Sequence, residues 1–126
     1  MVGLVIVSHS SKLAEGVVDL ARMMAKTAPI APAGGLEDGS FGTSFEKISA
    51  AVDQVYSDDG VLILMDMGSA VMTAEMVMES MEERKIVLAD CPVAEGAVTA
   101  AVDAEAGMGL EEILADLEQV GSLKKL

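Results

Sequence analysis

LVIVSHSSKLAEGV, residues 4–17, is the stretch on which the fold turns. It closes a continuous apolar run, residues 2–7, and passes without a linker through Ser8, His9, Ser10 and Ser11 into a helical pattern. An unbroken apolar run of this length fits a strand covered on both faces, and so a central strand of a parallel sheet. Behind it, Leu13, Val17, Leu20, Ala21 and Met24 recur at helical spacing, with Lys12, Glu15, Asp19, Arg22 and Lys26 opposite them. That spacing predicts an amphipathic helix over residues 10–27.

Working outward, residues 29–32 suggest a second strand, and its two prolines place it at a sheet edge. Four glycines fall within residues 34–42, marking a loop that turns sharply or approaches something closely. Thr43 and Glu46 have capping-box spacing ahead of a helix whose apolar face holds Phe45, Ile48, Val52 and Val55. Residues 61–65 read as a second doubly buried strand. Gly68 and Ser69 open a third helix reaching about Glu83, and residues 86–89 form a fourth strand. Pro92 suits a first helical position before a helix over 93–106, and Leu110, Ile113, Leu114 and Leu117 give a last helix before Gly121. Strands alternating with helices imply right-handed crossovers and an α/β fold: an open parallel sheet of about four strands with helices on both faces. Strand order 2-1-3-4 is expected, with a switch point between the first and third strands.

The 126 residues are 52% apolar but contain only two Phe, one Tyr and no Trp, so a single domain over residues 1–126 must build its core from aliphatics and Met. Chains of this size bury enough surface to fold without staples, and the lone Cys91 has no partner for an internal disulfide. Cys91 reads as a buried structural residue. The net charge of −13 opposes nucleic acids and anionic membranes. Residues 1–50 hold five acids and four bases, whereas residues 51–126 hold sixteen acids and four bases. The acidic half suits either a basic partner or simple solubility. The first apolar run has no basic residue before it and is broken by Ser8 and His9, which fits neither a signal peptide nor a membrane span, so a cytoplasmic protein is expected.

Ligands of open parallel sheets bind beyond the carboxyl ends of the strands. Here the first strand runs into Ser8 to Ser11 and the third into Asp66, Met67, Gly68 and Ser69. His9 is the sole histidine. In isolation such a residue is more often inert than catalytic, but at this place its imidazole faces the crevice beside a helix N-terminus suited to an anion. An imidazole near neutral pH is an available nucleophile, and Ser10, Ser11, Ser69 and Thr43 are candidate donors to a phosphoryl group. Asp66 has two readings: it fixes the tautomer of His9, or it caps the helix that follows. No metal-ligand spacing, P-loop or dinucleotide fingerprint is present, so neither a metal nor a cofactor is expected. Six of the ten methionines fall within residues 65–81. They form either a second packed surface such as a homodimer seam or partner site, or the covering of a fully buried helix.

LVIVSHSSKLAEGV (4–17), GTS (42–44), LILMDMGSA (62–70) and CPVAEGA (91–97) together resemble the phosphotransferase subunit of phosphoenolpyruvate-dependent dihydroxyacetone kinase. That family has a domain similar to the IIA component of mannose-type sugar phosphotransferase systems. The resemblance covers most of the chain and weakens after Gly107. It implies that His9 carries a phosphoryl group received from the histidine-containing phosphocarrier protein and passed to ADP held in the kinase's nucleotide-binding subunit. It implies a homodimer, and general phosphotransferase proteins supplied separately, because 126 residues leave no room for fused donor domains. Mannose-type sugar domains usually follow the histidine with glycine and the third strand with a double glycine. Here Ser10 and DMGSA stand instead, which favours the dihydroxyacetone branch over a sugar IIA component. A noncatalytic ligand-binding module would require these matches to be accidental.

Overall fold

The computed structural model describes residues 1–126 as a four-stranded parallel sheet between two helical layers. In chain order the elements are β1 (Gly3–Ser8), α1 (Ser11–Met24), β2 (Ile30–Gly34), α2 (Phe45–Val55), β3 (Val61–Met65), a 3-10 turn (Gly68–Ala70), α3 (Val71–Ser80), β4 (Ile86–Ala89), α4 (Val93–Glu105) and α5 (Leu110–Val120). The strand order is β2-β1-β3-β4, with every neighbouring pair parallel, as expected. Register places Val7 of β1 opposite both Ala33 of β2 and Met65 of β3, so the ends of the central strands finish together.

Strand side chains alternate between two cores, because successive residues face opposite sides of a sheet. Leu4, Ile6, Leu62 and Leu64 pack under α1, α4 and α5, whereas Val5, Val7, Val61 and Ile63 pack under α2 and α3. Ala97, Ala100, Ala101 and Ala104 are all buried on α4, and these small side chains let α1 and α5 approach it closely. Truncating a central residue such as Leu64 to Ala would cost about 2–5 kcal/mol.

Several boundaries differ from the sequence reading for local reasons. Ser10 caps α1 by accepting a hydrogen bond from the Leu13 amide at 3.2 Å, so the helix proper is shorter than 10–27. Its buried face is Ala14, Val17, Val18 and Ala21, whereas Leu13, Leu20 and Met24 are exposed. The small residues face α4, and the larger ones flank the contact. Ser44, not Thr43, caps α2 by accepting from the Lys47 amide at 3.1 Å, which leaves the Thr43 hydroxyl 2.9 Å from that of Thr73 on α3. The second strand lies slightly later than 29–32 and does occupy an edge. The third helix is split into the 3-10 turn and α3, which ends at Ser80 rather than Glu83. Pro92 sits at the N-cap of α4, one place before the helix, and that helix ends at Glu105. Cys91 is half-buried rather than buried, and its thiol is pushed up to about 11 by burial and by Asp90.

Candidate functional site

The site is the junction of two strand ends. β1 leaves the sheet at Ser8 and β3 at Met65, and the residues that follow, His9 and Asp66, meet across the gap. Their meeting is fixed by backbone bonds. The Asp66 amide donates to the Val7 carbonyl at 3.1 Å, and the His9 amide donates to Asp66 Oδ2 at 3.0 Å.

Asp66 collects four donors. Oδ2 accepts from the His9 amide and from Ser8 Oγ at 2.9 Å; Oδ1 accepts from the Met67 amide at 2.8 Å and lies 3.0 Å from His9 Nδ1. Only 10% of its side chain is exposed, against 22% for His9. Burial disfavours the Asp66 charge, but the bonds from the His9 amide, the His9 ring and Ser8 outweigh it and hold the carboxyl below its ordinary value. An ionised carboxylate can only accept, so Nδ1 of a neutral His9 carries the proton and Nε2 carries the lone pair. Nε2 meets the Ser69 hydroxyl at 2.9 Å, which therefore donates to it.

Two helical starts follow these strand ends in the chain. The Ser11 and Lys12 amides open α1, and the Gly68 and Ser69 amides open the 3-10 turn; none has a helical acceptor behind it. Gly68 is exposed, and a Cβ there would meet nothing. Gly34 permits the arrangement from below. A Cβ there would stand 2.5 Å from the Ser10 carbonyl oxygen and 2.7 Å from Ala14 Cβ. Gly42, at φ 148°, donates its amide to the His9 carbonyl at 2.9 Å and so ties the glycine-rich loop to the site.

His9, Asp66 and Ser69 of the sequence-predicted set are in direct contact. Ser10 is adjacent as a cap, its hydroxyl proton still free, and its amide donates to Ser8 Oγ at 3.0 Å. Ser11 Oγ turns along α1 to Glu15 at 3.4 Å, and Thr43 pairs with Thr73. Neither touches the ring. Ser8 was not singled out, yet it is 1% exposed and binds Asp66. The signal was available: a hydroxyl ending a fully buried strand needs a partner, and a neighbouring strand's carboxylate is one. Beside Asp66, a crevice of about 400 Å³ opens past the ends of β3 and β4, walled by Asp66, Met67, Gly68, Val71, Leu88 and Cys91.

A family model described as the fructose IIA component of the phosphotransferase system matches residues 3–114. The phosphoryl donor subunit DhaM of phosphoenolpyruvate-dependent dihydroxyacetone kinase from Escherichia coli strain K12 is 41% identical over 123 residues, which cover 92% of this chain. The chain spans only 26% of that protein's length. The phosphotransferase subunit DhaM from Lactococcus lactis is 39% identical over 118 residues, covering 94% of each chain. A crystal structure of a protein of unknown function superposes with a TM-score of 0.85 at 29% identity, covering 100% of this chain and 99% of that one. The mannose/sorbose-specific IIA subunit of Enterococcus faecalis superposes at 0.59 over 99% of this chain and 94% of that one, with 19% identity, and shares the fold.

Proposed function

Since the chain belongs to the family of phosphoryl donor subunits of phosphoenolpyruvate-dependent dihydroxyacetone kinase, within the IIA fold, we propose that it carries a phosphoryl group on Nε2 of His9. The observation behind this reading is the ring held between Asp66 at Nδ1 and Ser69 at Nε2.

In the loading step the Nε2 lone pair attacks phosphorus on the phosphohistidine of the phosphocarrier protein. The donor's P–N bond breaks, and its electron pair returns to the donor ring. Asp66 keeps the Nδ1 proton and balances the positive charge the ring gains. Ser69 leaves Nε2 and turns its hydroxyl to the phosphoryl oxygens, together with the Gly68, Ser69, Ser11 and Lys12 amides and the Ser10 hydroxyl. In the unloading step a β-phosphate oxygen of ADP, held in the kinase's nucleotide-binding subunit, attacks phosphorus and the P–Nε2 bond breaks. The pair returns to Nε2 and ATP forms. Positioning supplies most of the rate. Ser11 and Thr43 side chains contribute through local structure, since their hydroxyls point elsewhere. The family relationship also carries the proposal that two copies associate. No helix is long and apolar enough to cross a membrane, and a cytoplasmic setting for the exchange is part of the proposal.

The test is incubation with phosphoenolpyruvate, enzyme I and the phosphocarrier, which should yield an acid-labile adduct able to convert ADP on the kinase's nucleotide subunit. Uptake by a His9→Ala variant would sink the proposal. Transfer only to a sugar-specific IIB protein would move the chain to a sugar phosphotransferase system.

A further inference from the structure

Ser8 ends β1 with its side chain buried, after five residues that are all apolar or glycine. A hydroxyl in such a place must find its partners inside the protein. It has two, and they belong to different elements. Ser8 Oγ donates to Asp66 Oδ2 at 2.9 Å and accepts from the Ser10 amide at 3.0 Å. Ser10 is in turn the N-cap of α1, its own hydroxyl accepting from the Leu13 amide at 3.2 Å. One oxygen atom thus joins the carboxylate that holds His9 Nδ1 to the start of α1. The serine itself is held, because its carbonyl accepts from the Gly35 amide at 3.1 Å and Gly34 pairs with it in register.

We propose that Ser8 is a positioning residue for the phosphoryl exchange, fixing the Asp66 carboxylate so that Oδ1 stays on His9 Nδ1. The inference rests on the reading of His9 as the carrier, and it adds a residue that makes no hydrogen bond to the ring. Oδ2 has only two donors, the His9 amide and Ser8. Removing the Ser8 hydroxyl leaves Oδ2 with one and the Ser10 amide without its acceptor. Burial disfavours the Asp66 charge, and the Ser8 bond is one of those that outweigh it, after the bonds from the His9 amide and ring. A purely local role, holding the amide two residues on as serine turns do, would engage the hydroxyl as an acceptor alone. Here its proton goes to the carboxylate of another strand end.

The experiment combines labelling by phosphoramidate, a small phosphoryl donor, with nitrogen-15 spectra of the ring. In Ser8→Ala the carboxylate loses a donor, so the share of the ring protonated at Nδ1 should fall. Labelling of His9 should slow by about tenfold, the lower end of what outer partners of metal-binding histidines contribute. Ser8→Thr, which keeps a hydroxyl, should restore both. Because the serine acts through the carboxylate, Ser8→Ala added to Asp66→Asn should slow labelling by less than about twofold more. Should Ser8→Ala fail to fold, Ser8→Cys, a weak donor of similar size, takes its place with the same shifts expected. An unaltered tautomer or an unaltered rate in Ser8→Ala would overturn the proposal. So would an undiminished loss in the Asp66→Asn background, which would assign the hydroxyl to the start of α1 alone. A wild-type protein that takes no label would remove the carrier reading instead, and the ring tautomer would still report whether Ser8 fixes the carboxylate.

Discussion

His9 and Asp66 divide one task between two strand ends. The carboxylate is already saturated by the His9 amide, Ser8 and the Met67 amide, so it has no freedom to swing away when the ring gains charge. This makes Asp66→Asn informative, because the amide keeps the shape but can present its NH2 to Nδ1 and so move the ring proton to Nε2. A nucleophile blocked by its own proton should transfer phosphoryl groups about a hundredfold or more slowly, by analogy with carboxylate-to-amide changes in other histidine sites. Nitrogen-15 spectra of the ring should report the exchanged tautomer. An unchanged rate with an exchanged tautomer would remove Asp66 from the mechanism. The depressed Asp66 pKa sets the pH range: its bonds stabilise the fold above the ordinary carboxylate value, near 3.9, and that contribution is lost as pH falls through the lower folded value. Acidification to about pH 5 should therefore leave the pair intact.

Elements place these residues, and Gly34 is where two of them nearly touch. In Gly34→Ala the new methyl meets the Ser10 carbonyl and the Ser11 Cα, backbone that cannot rotate aside. The cost should be about 1–3 kcal/mol by denaturant unfolding, with slower phosphoryl uptake because the N-terminus of α1 shifts. A variant of full stability would mean the strand yields instead. Between α4 and α5 lies a different strain. Asp103 is pushed up to about 6 by burial and by the neighbouring carboxylates of Asp116 and Glu112, and its Oδ2 is buried without a donor. A proton shared with Asp116 would satisfy it. Because its folded pKa exceeds the unfolded value, that contribution is complete below about pH 4 and lost as pH rises through about 6. Asp103→Asn should raise Tm at pH 7 by about a few degrees and flatten its dependence between about pH 5 and 7. An unchanged Tm profile would place the strain elsewhere. Element order was legible because continuous apolar runs at 2–7 and 61–65 are the mark of doubly covered strands, whereas the strand pairing came from the common order of such folds. The meeting of His9 and Asp66 followed from that order. The cap at Ser44 was not legible, since Thr43 and Ser44 are both good caps and the tertiary pairing of Thr43 with Thr73 decided between them. The buried face of α1 was legible only in part, at Val17 and Ala21, for a related reason. Hydrophobicity ranked Leu13, Leu20 and Met24 highest, whereas close packing against the alanines of α4 selects the smallest side chains.

At the scale of the molecule the −13 charge is a property of placement. The first half, which supplies His9 and α1, is nearly neutral, and the acids gather in the later segments that supply α3, the end of β4 and α5. On the proposed reading, a phosphoryl dianion on Nε2 would have the starts of α1 and the 3-10 turn as its chain neighbours, while the exposed side of α3 carries Glu75 and Glu79. These are separable demands, since the first is local and shielded but the second acts across water. Salt distinguishes them, because the screening length is about 10 Å at 0.1 M and falls to about 3 Å at 1 M. Transfer from the phosphocarrier should therefore slow by about tenfold between about 20 mM and 500 mM salt, through encounter rather than chemistry. Labelling by phosphoramidate, a small donor that needs no protein-to-protein encounter, should change far less over the same range. If the protein-to-protein rate proves insensitive to salt, the acids serve only to keep an apolar, methionine-rich chain dispersed.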